Sequence, residues 1–473
     1  ERLLEAMSQK IAEEWDVDYE ILKTLPNVLR CANWEVTVTI RDNRILNVEK
    51  GDTLSKIYGF VVDVGTSKIV GHLVDLTTGR TVGVGAIENP QLIYGADIIT
   101  RTVFAVNGKG LKKLQELSIK GINSILNEIC SKAGVDPNDI YEVLAVGNSI
   151  ILHILFLVQP KYLALSPFTP AFRKAPELPA RELNIKINPG GFVSTLPIVA
   201  GFVGGDAVAD CLATGIHKSN KNTLLLDIGT NTEILLGNRK GLFCCSCAAG
   251  PAFESYVDYG MKALEGAIEE VSIDQNYEVR YKTIGGSKPV GICGSALVQI
   301  VSEMFKRGII DHTGTFNSSL KTQRITDDGF ILASRNETAT GREIKITHKD
   351  VDEIILAKAA IRTGCSILMR KMNLKDEDIE RVFIAGDFGS ALNLESLICI
   401  GLLPNIPLPL QKIKKVGNAS VEGAKMCLIS RDMKKEISRI LSKIRYVELT
   451  VDPEFENEFI KNLCINHCKK FTF

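Results

Sequence analysis

Two stretches of this chain repeat one arrangement of apolar and polar positions: Gly59-Phe-Val-Val-Asp-Val-Gly-Thr-Ser-Lys68 and Thr223-Leu-Leu-Leu-Asp-Ile-Gly-Thr-Asn-Thr232. Each sets four mostly β-branched or apolar residues before an aspartate, then runs through Gly-Thr into a second apolar run. That pattern predicts a β-hairpin with a polar tip, and it divides the chain. Residues 1–56 read as a small α+β unit. Helical spacing runs over Leu3–Trp15 and Tyr19–Cys31, followed by strand Trp34–Ile40, a turn at Asp42-Asn-Arg and strand Ile45–Glu49. The first large half, 57–220, continues its hairpin through His72–Leu76 and Thr81–Ile87 into three antiparallel strands. The stretch Asn89–Asp97 reads as a loop that packs in preference to touching a ligand. A helix over Leu111–Ala133 follows, then strand Glu142–Val146 and the helix opened by Gly147-Asn148-Ser149. A proline-rich connection, 160–195, leads to a strand over Leu196–Phe202 and a helix opened by Gly204-Gly205-Asp206. The second half, 221–473, repeats the plan with strands at 222–228, 232–238 and 241–248. Its later elements are helix Ala296–Phe305, a long helix over Lys349–Met372, and strand Arg381–Ala385 running into Gly386-Asp387-Phe388-Gly389. Val416–Ser420 leads into another helix, and a tail of helix, strand and helix (Met433–Ile444, Tyr446–Val451, Glu454–Leu463) packs on this half.

At 473 residues and 45% hydrophobic, the chain can bury large cores in two or more domains. Lysine plus arginine equals aspartate plus glutamate, 56 each, so no net charge argues for nucleic acid or an anionic membrane. The longest apolar run, Ser149–Val158, contains His153 and is about half the length that crosses a bilayer. The chain opens on Glu1 with no charged-then-apolar leader, so it reads as cytoplasmic, with a trimmed start and a preceding domain missing. Of twelve cysteines, most lie in apolar strands and helices, where a thiol packs as a small hydrophobe. Cys244-Cys245-Ser-Cys247 and Cys464-x-x-x-Cys468 with His467 are the two local groups open to metal binding.

The two tips carry the candidate chemistry. A buried strand delivers Asp63 or Asp227 to its end, where a carboxylate can hold a hydrated magnesium ion. Gly65 and Gly229 let the backbone approach an anion, and Thr66 and Thr230 add donors. Asp-x-Gly-Thr is also ordinary hairpin chemistry, but two copies favour a duplicated nucleotide clamp. Asp206 suits orienting or deprotonating a water, and equally a helix N-cap. Small residues at Gly386 and Gly389 let a planar base lie on the backbone, with Asp387 and Phe388 flanking it and Gly417 as a neighbouring wall.

In this order the motifs resemble the actin, sugar-kinase and heat-shock-chaperone ATPase superfamily, which implies an α/β fold of two related actin-like halves closing a nucleotide cleft. Within it, several stretches look like the reductive activators of corrinoid proteins: Asn89–Asp97, Ala145-Val-Gly-Asn-Ser149, Asp227–Glu233, Ala249-Gly-Pro-Ala-Phe-Glu254, Gly291-Ile-Cys-Gly-Ser295, Ala385-Gly-Asp-Phe-Gly389 and Val416-Gly-Asn-Ala419. The resemblance extends to residues 1–56, which look like that family's middle domain. It implies ATP-dependent return of a corrinoid cobalt(II) to cobalt(I) in methyl-transfer metabolism. The partners implied are the corrinoid protein of a methyltransferase system and a low-potential electron donor; the oligomeric state stays open, a homodimer being one of the assemblies considered. An iron–sulfur cluster is expected in the full-length protein but not in this chain. The same resemblance assigns magnesium to Asp63 and Asp227 through water. It assigns the phosphates to Gly65, Thr66, Ser67, Lys68, Gly229, Thr230 and Asn231, the attacking water to Asp206, and the nucleotide also to Gly204, Gly205, Gly386, Asp387, Phe388, Gly389 and Gly417. Lys68, Ala296 and the Cys464–Cys468 segment depart from the family pattern. A small-molecule kinase, a radical-dehydratase activator and an actin-like filament protein remain alternatives on this scaffold.

Overall fold

Local signals build the N-terminal segment. α1 (Arg2–Ser8) and the short β1 (Asp16–Val17) precede α2 (Tyr19–Cys31), whose N-cap Asp18 accepts the Glu20 N–H at 3.0 Å. β2 (Val36–Arg41) and β3 (Arg44–Lys50) turn back on each other at Asp42, which takes a left-handed φ of 52°, and the sheet order is β1-β3-β2. The computed structural model describes residues 2–8, 15–250, 253, 257–405 and 410–465, so positions 9–14 of the expected first helix lie outside the described residues.

The first large sheet is laid down by β4 (Tyr58–Val64), β5 (Lys68–Asp75) and β6 (Thr81–Glu88) as an antiparallel meander. α3 (Ile98–Val106) and α4 (Gly110–Ala133) then cross to β7 (Ile140–Val146), which joins β4 in parallel. α5 (Ser149–Leu155), β8 (Glu177–Pro179), β9 (Phe192–Thr195) and α6 (Gly205–Thr214) complete this half. The sheet order is β6-β5-β4-β7-β9-β8. One expectation fails here. The strand expected at Leu196–Phe202 is β9, four residues long and ending at Thr195, because Pro197 has no N–H to give a ladder. The expected loop Asn89–Asp97 contains a 3₁₀ turn over Pro90–Tyr94 and leads into α3.

β10 (Thr223–Asp227), β11 (Asn231–Asn238) and β12 (Gly241–Ala248) repeat the meander. An insertion follows, with a four-stranded sheet of β13 (Gly260–Met261), β14 (Ala267–Ile273), β15 (Val279–Thr283) and β16 (Gly291–Cys293), then α7 (Gly294–Lys306). A three-stranded sheet of β17 (Ile325–Thr326), β18 (Gly329–Ala333) and β19 (Ile344–Thr347) feeds α8 (His348–Lys371), which opens on a capping box between Thr347 and Asp350. β20 (Arg381–Ala385), α9 (Asp387–Ala391), α10 (Leu394–Cys399) and β21 (Ile413–Gly417) return to the main sheet. α11 (Ala419–Ile429), α12 (Arg431–Lys443), β22 (Ile444–Tyr446) and α13 (Phe455–Asn462) end the described chain. The order β21-β20-β10-β11-β12-β22 contains the same five-strand core as the first sheet: a meander extended in parallel by two later strands.

The chain divides into two compact units, residues 1–209 with 420–437, and 210–419 with 438–473. Of the tail expected on the second half, residues 438–463 group with it, whereas 433–437, together with 420–432 before them, group with the first unit. There Leu428 lies against Gly59, and Lys434 Nζ donates to Glu142 at 2.9 Å. The expected strand at 446–451 is β22, and Leu449–Val451 is a 3₁₀ turn. Among the described residues no helix is long and apolar enough to cross a membrane.

Candidate functional site

In the first unit, β4 delivers Asp63 to the edge of the sheet in register with Val146, the last residue of β7. The Asp63 side chain is half-buried, and the Ser420 hydroxyl, in the first turn of α11, donates to its Oδ2 at 3.1 Å. The tip beyond it, Gly65-Thr66-Ser67, is braced from behind. Asn89 Nδ2 donates to Gly65 O at 2.8 Å, the Asn89 N–H to Ser67 O at 2.8 Å, and Arg101 Nη2 to Thr66 O at 2.6 Å. Lys68 is exposed. The loop expected to pack therefore does so, and it also sets the shape of the tip.

The Gly147-Asn148-Ser149 turn lies beside it. Gly147, at φ 152°, runs so close to β4 that a Cβ there would fall 2.7 Å from Val64 O. Asn148 caps α5 by accepting the Ile150 N–H, and its amide donates to Phe202 O; Ser149 Oγ donates to Ala200 O at 2.7 Å. A Cβ on Gly204 would collide with the backbone at Gly147 and lie 2.7 Å from Ser149 N, so only glycine admits this approach. Asp63, the 147–149 turn and Gly204-Gly205-Asp206 thus share one sheet edge. Asp206 is half-buried in the first turn of α6, which starts at Gly205, so it sits inside the helix and not at its cap. Its Oδ1 accepts the Ala207 N–H at 2.7 Å.

The second unit places Asp227 at the end of β10, in register with Ala385. The turn after β20 wraps it. Gly386 takes φ 87°, ψ 148°, its N–H donates to Gly417 O at 3.0 Å, and a Cβ on it would lie 2.7 Å from Asp227 Oδ1. Gly417, at φ 68°, has open space where a Cβ would stand. Gly229 is half-buried at the hairpin turn, and Thr230 is buried, its carbonyl accepting the Gly250 N–H at 3.0 Å. Asn231 Nδ2 is buried and has no hydrogen-bond partner among the described residues. A buried donor without an acceptor is one that a ligand or an ordered water can satisfy. Phe388 stacks on Phe253, ring centroids 5.8 Å apart, so one of its faces is already covered. Gly389 lets α9 sit on β20, since a Cβ would meet Ile384 at 2.9 Å. Asp387 opens α9; its side chain lies outside the described residues.

The first cysteine group is core. Cys244 points to one face of β12, while Cys245 and Cys247 point to the other, against Gly364 of α8. Burial drives the Cys245 thiol far above its ordinary range and pushes the nearby Cys365 thiol up to about 12, which keeps both as neutral hydrophobes. In the second group His467 and Cys468 lie outside the described residues, as do Pro251, Ala252 and Glu254 of the Ala249–Glu254 motif.

Sequence reasoning missed Arg101 and the role of Asn89. The signal available was one arginine inside the apolar run Ile98–Val106; its partner carbonyls are visible only in three dimensions.

Three family models match the chain: the C-terminal domain of RACo, the ASKHA domain, over residues 221–473; the RACo middle region over 58–219; and the RACo linker region over 1–55. The middle-region description thus falls on the first large half, and the small N-terminal unit corresponds to the linker. The corrinoid activation enzyme RamQ of Eubacterium limosum is 33% identical over 461 residues, 94% of this chain and 77% of that protein. A Co(II) methylated-amine-specific corrinoid protein reductase of Methanosarcina barkeri is 24% identical over 440 residues, 86% of this chain and 77% of that protein. A solved structure of a reductive activator for corrinoid, iron–sulfur protein superposes with a TM-score of 0.88 at 39% identity, covering 98% of this chain and 75% of the other. The chain belongs to the RACo family of reductive activators of corrinoid proteins, with an actin-like ASKHA domain over residues 221–473.

Proposed function

We propose that this chain uses ATP to drive a corrinoid protein of a methyltransferase system from cobalt(II) back to cobalt(I), with one electron taken from a low-potential donor. The observation that carries the reading is the duplicated strand–Asp–Gly–Thr tip on two sheets of one order, in a chain 33% identical to a corrinoid activation enzyme across 94% of its length.

The residues fit ATP and magnesium. Asn231 offers a buried donor without an acceptor among the described residues, and Gly386 keeps the backbone tight against Asp227 where any side chain would intrude. Asp63 and Asp227 are the magnesium ligands, through water. Gly65, Thr66, Ser67, Lys68, Gly229, Thr230 and Asn231 take the phosphates. Asp206, near Gly204 and Gly205, orients the attacking water. Gly386, Asp387, Phe388, Gly389 and Gly417 form the adenosine side, with Phe388 presenting the face that Phe253 leaves open. Bound ATP supplies the free-energy difference between two states of the activator. A tenfold bias toward the reducible corrinoid complex takes about 1.4 kcal/mol, and ATP delivers it only by favouring one of those states.

The test combines the protein, a low-potential reductant, MgATP and a cobalt(II) corrinoid protein, and follows the cobalt absorption. Cobalt(I) should form only when ATP is present, and the corrinoid partner should stimulate ATP hydrolysis. Equal reduction with and without ATP, across corrinoid partners, refutes the proposal.

A further inference from the structure

Arg101 is fully buried, and its guanidinium donates to at least three acceptors. Nε donates to Gly95 O at 2.9 Å, Nη1 to Gln91 Oε1 at 3.2 Å, and Nη2 to Thr66 O at 2.6 Å. Gln91 is itself locked, its amide donating to Leu114 O at 3.0 Å and Ser118 Oγ at 2.6 Å of α4. The brace therefore runs from the core of the first unit to the peptide between Thr66 and Ser67. That peptide is planar and trans, so holding its carbonyl inward turns the Ser67 N–H the opposite way. The Asn89 amide does the same for the Gly65–Thr66 peptide, turning the Thr66 N–H outward. We propose that Arg101 is a positioning residue for nucleotide: it pre-sets the backbone donors of the first tip for the ATP phosphates, and a lysine in its place cannot reproduce the fork. The inference rests on the ATP-dependent function proposed above.

A pre-set tip lowers the ordering cost of binding, whereas Asp206, which acts on the water, stands on another element. Loss of the brace should therefore appear in ATP affinity and leave turnover nearly intact. The experiment measures ATP KM and kcat, and nucleotide Kd, on the whole chain for Arg101→Lys and Arg101→Met, with Val103→Ala on the exposed side of the same helix as control. Charge-assisted hydrogen bonds of this kind are worth roughly ten-fold or more in affinity. Arg101→Lys should raise KM and Kd for ATP by about ten-fold with kcat within about two-fold. Arg101→Met should be worse, and Val103→Ala should match the parent. If Arg101→Met does not fold, Arg101→Lys decides. An Arg101→Lys protein with unchanged ATP KM, or one whose kcat falls while its KM holds, overturns the inference. A parent chain that binds no ATP overturns the proposed function itself.

Discussion

Gly386→Ala perturbs the second tip at its tightest point. The residue stands at φ 87°, ψ 148°, a backbone region essentially reserved for glycine, and placing alanine there costs about 1–3 kcal/mol. A steric term adds to it. The new Cβ would lie 2.7 Å from Asp227 Oδ1 and 2.7 Å from Ile228 O, both inside van der Waals contact, and relief by shifting backbone costs about 1–3 kcal/mol more. Gly215→Ala supplies the comparison: at φ 65° with nothing within 4 Å of its Cβ, it carries only the conformational cost of about 1–2 kcal/mol. Urea unfolding of both variants, with slopes compared, isolates the difference. The expected outcome is a loss for Gly386→Ala exceeding that for Gly215→Ala by about 1–3 kcal/mol, together with ATP affinity reduced at least about ten-fold because the Asp227 carboxylate is displaced. Equal midpoints for the two variants, with ATP bound as tightly as by the parent, would show that Gly386 is not holding Asp227 in place.

Asp206→Asn keeps the side-chain shape and removes the base, so kcat for ATP hydrolysis should fall about 100-fold in single-turnover assays while nucleotide affinity changes less than about three-fold. Asp63→Asn and Asp227→Asn should each raise the magnesium concentration for half-maximal hydrolysis by about ten-fold or more, read by magnesium titration at fixed ATP, with the circular dichroism spectrum unchanged. Lys358 is buried and donates to the carbonyls of Asn462 and Cys464 at 2.6 Å. Burial lowers its amine to about 8, with Arg362 adding to the shift and Cys464 opposing it. The unfolded amine still holds its proton up to about 10.5, so in the window from 8 to 10.5 the unfolded state binds more protons and this group's contribution to stability rises with pH. The cost of Lys358→Met should accordingly grow by up to roughly 3 kcal/mol between pH 8 and 10.5 in paired urea titrations. A constant cost across that range would contradict the lowered amine, because the folded and unfolded chains would then hold this proton to the same pH.

Local chemistry made the strands and most helices readable. α2 falls on Tyr19–Cys31 as its apolar spacing predicts, and the three strands of each meander follow their apolar runs closely. The errors occurred where one residue overrode a pattern or where partners were remote. Pro197 ended a strand that its apolar neighbours would have continued. The Asn89–Asp97 stretch looked like a loop because its long-range hydrogen bonds go to Gly65, Ser67, Leu114 and Ser118, none of them near in sequence. Among the candidate site residues, Asp63 and Asp227 stand out in the sequence because a duplicated pattern repeats their surroundings. Ser420 beside Asp63 left no comparable trace.

The amino-acid sequence alone determined the duplicated plan, the strand ends that carry Asp63 and Asp227, and the glycines that permit a close backbone, because periodicity and turn chemistry act over a few residues. Only the tertiary structure decided which distant groups complete each tip: Arg101 and Asn89 behind Thr66 and Gly65, Ser420 on Asp63, Gly386 over Asp227. It also assigned residues 420–437 to the first unit. These pairings join residues tens to hundreds of positions apart, and a hydrogen bond or a steric fit across such a span exists only once the sheets have brought its partners within about 3 Å.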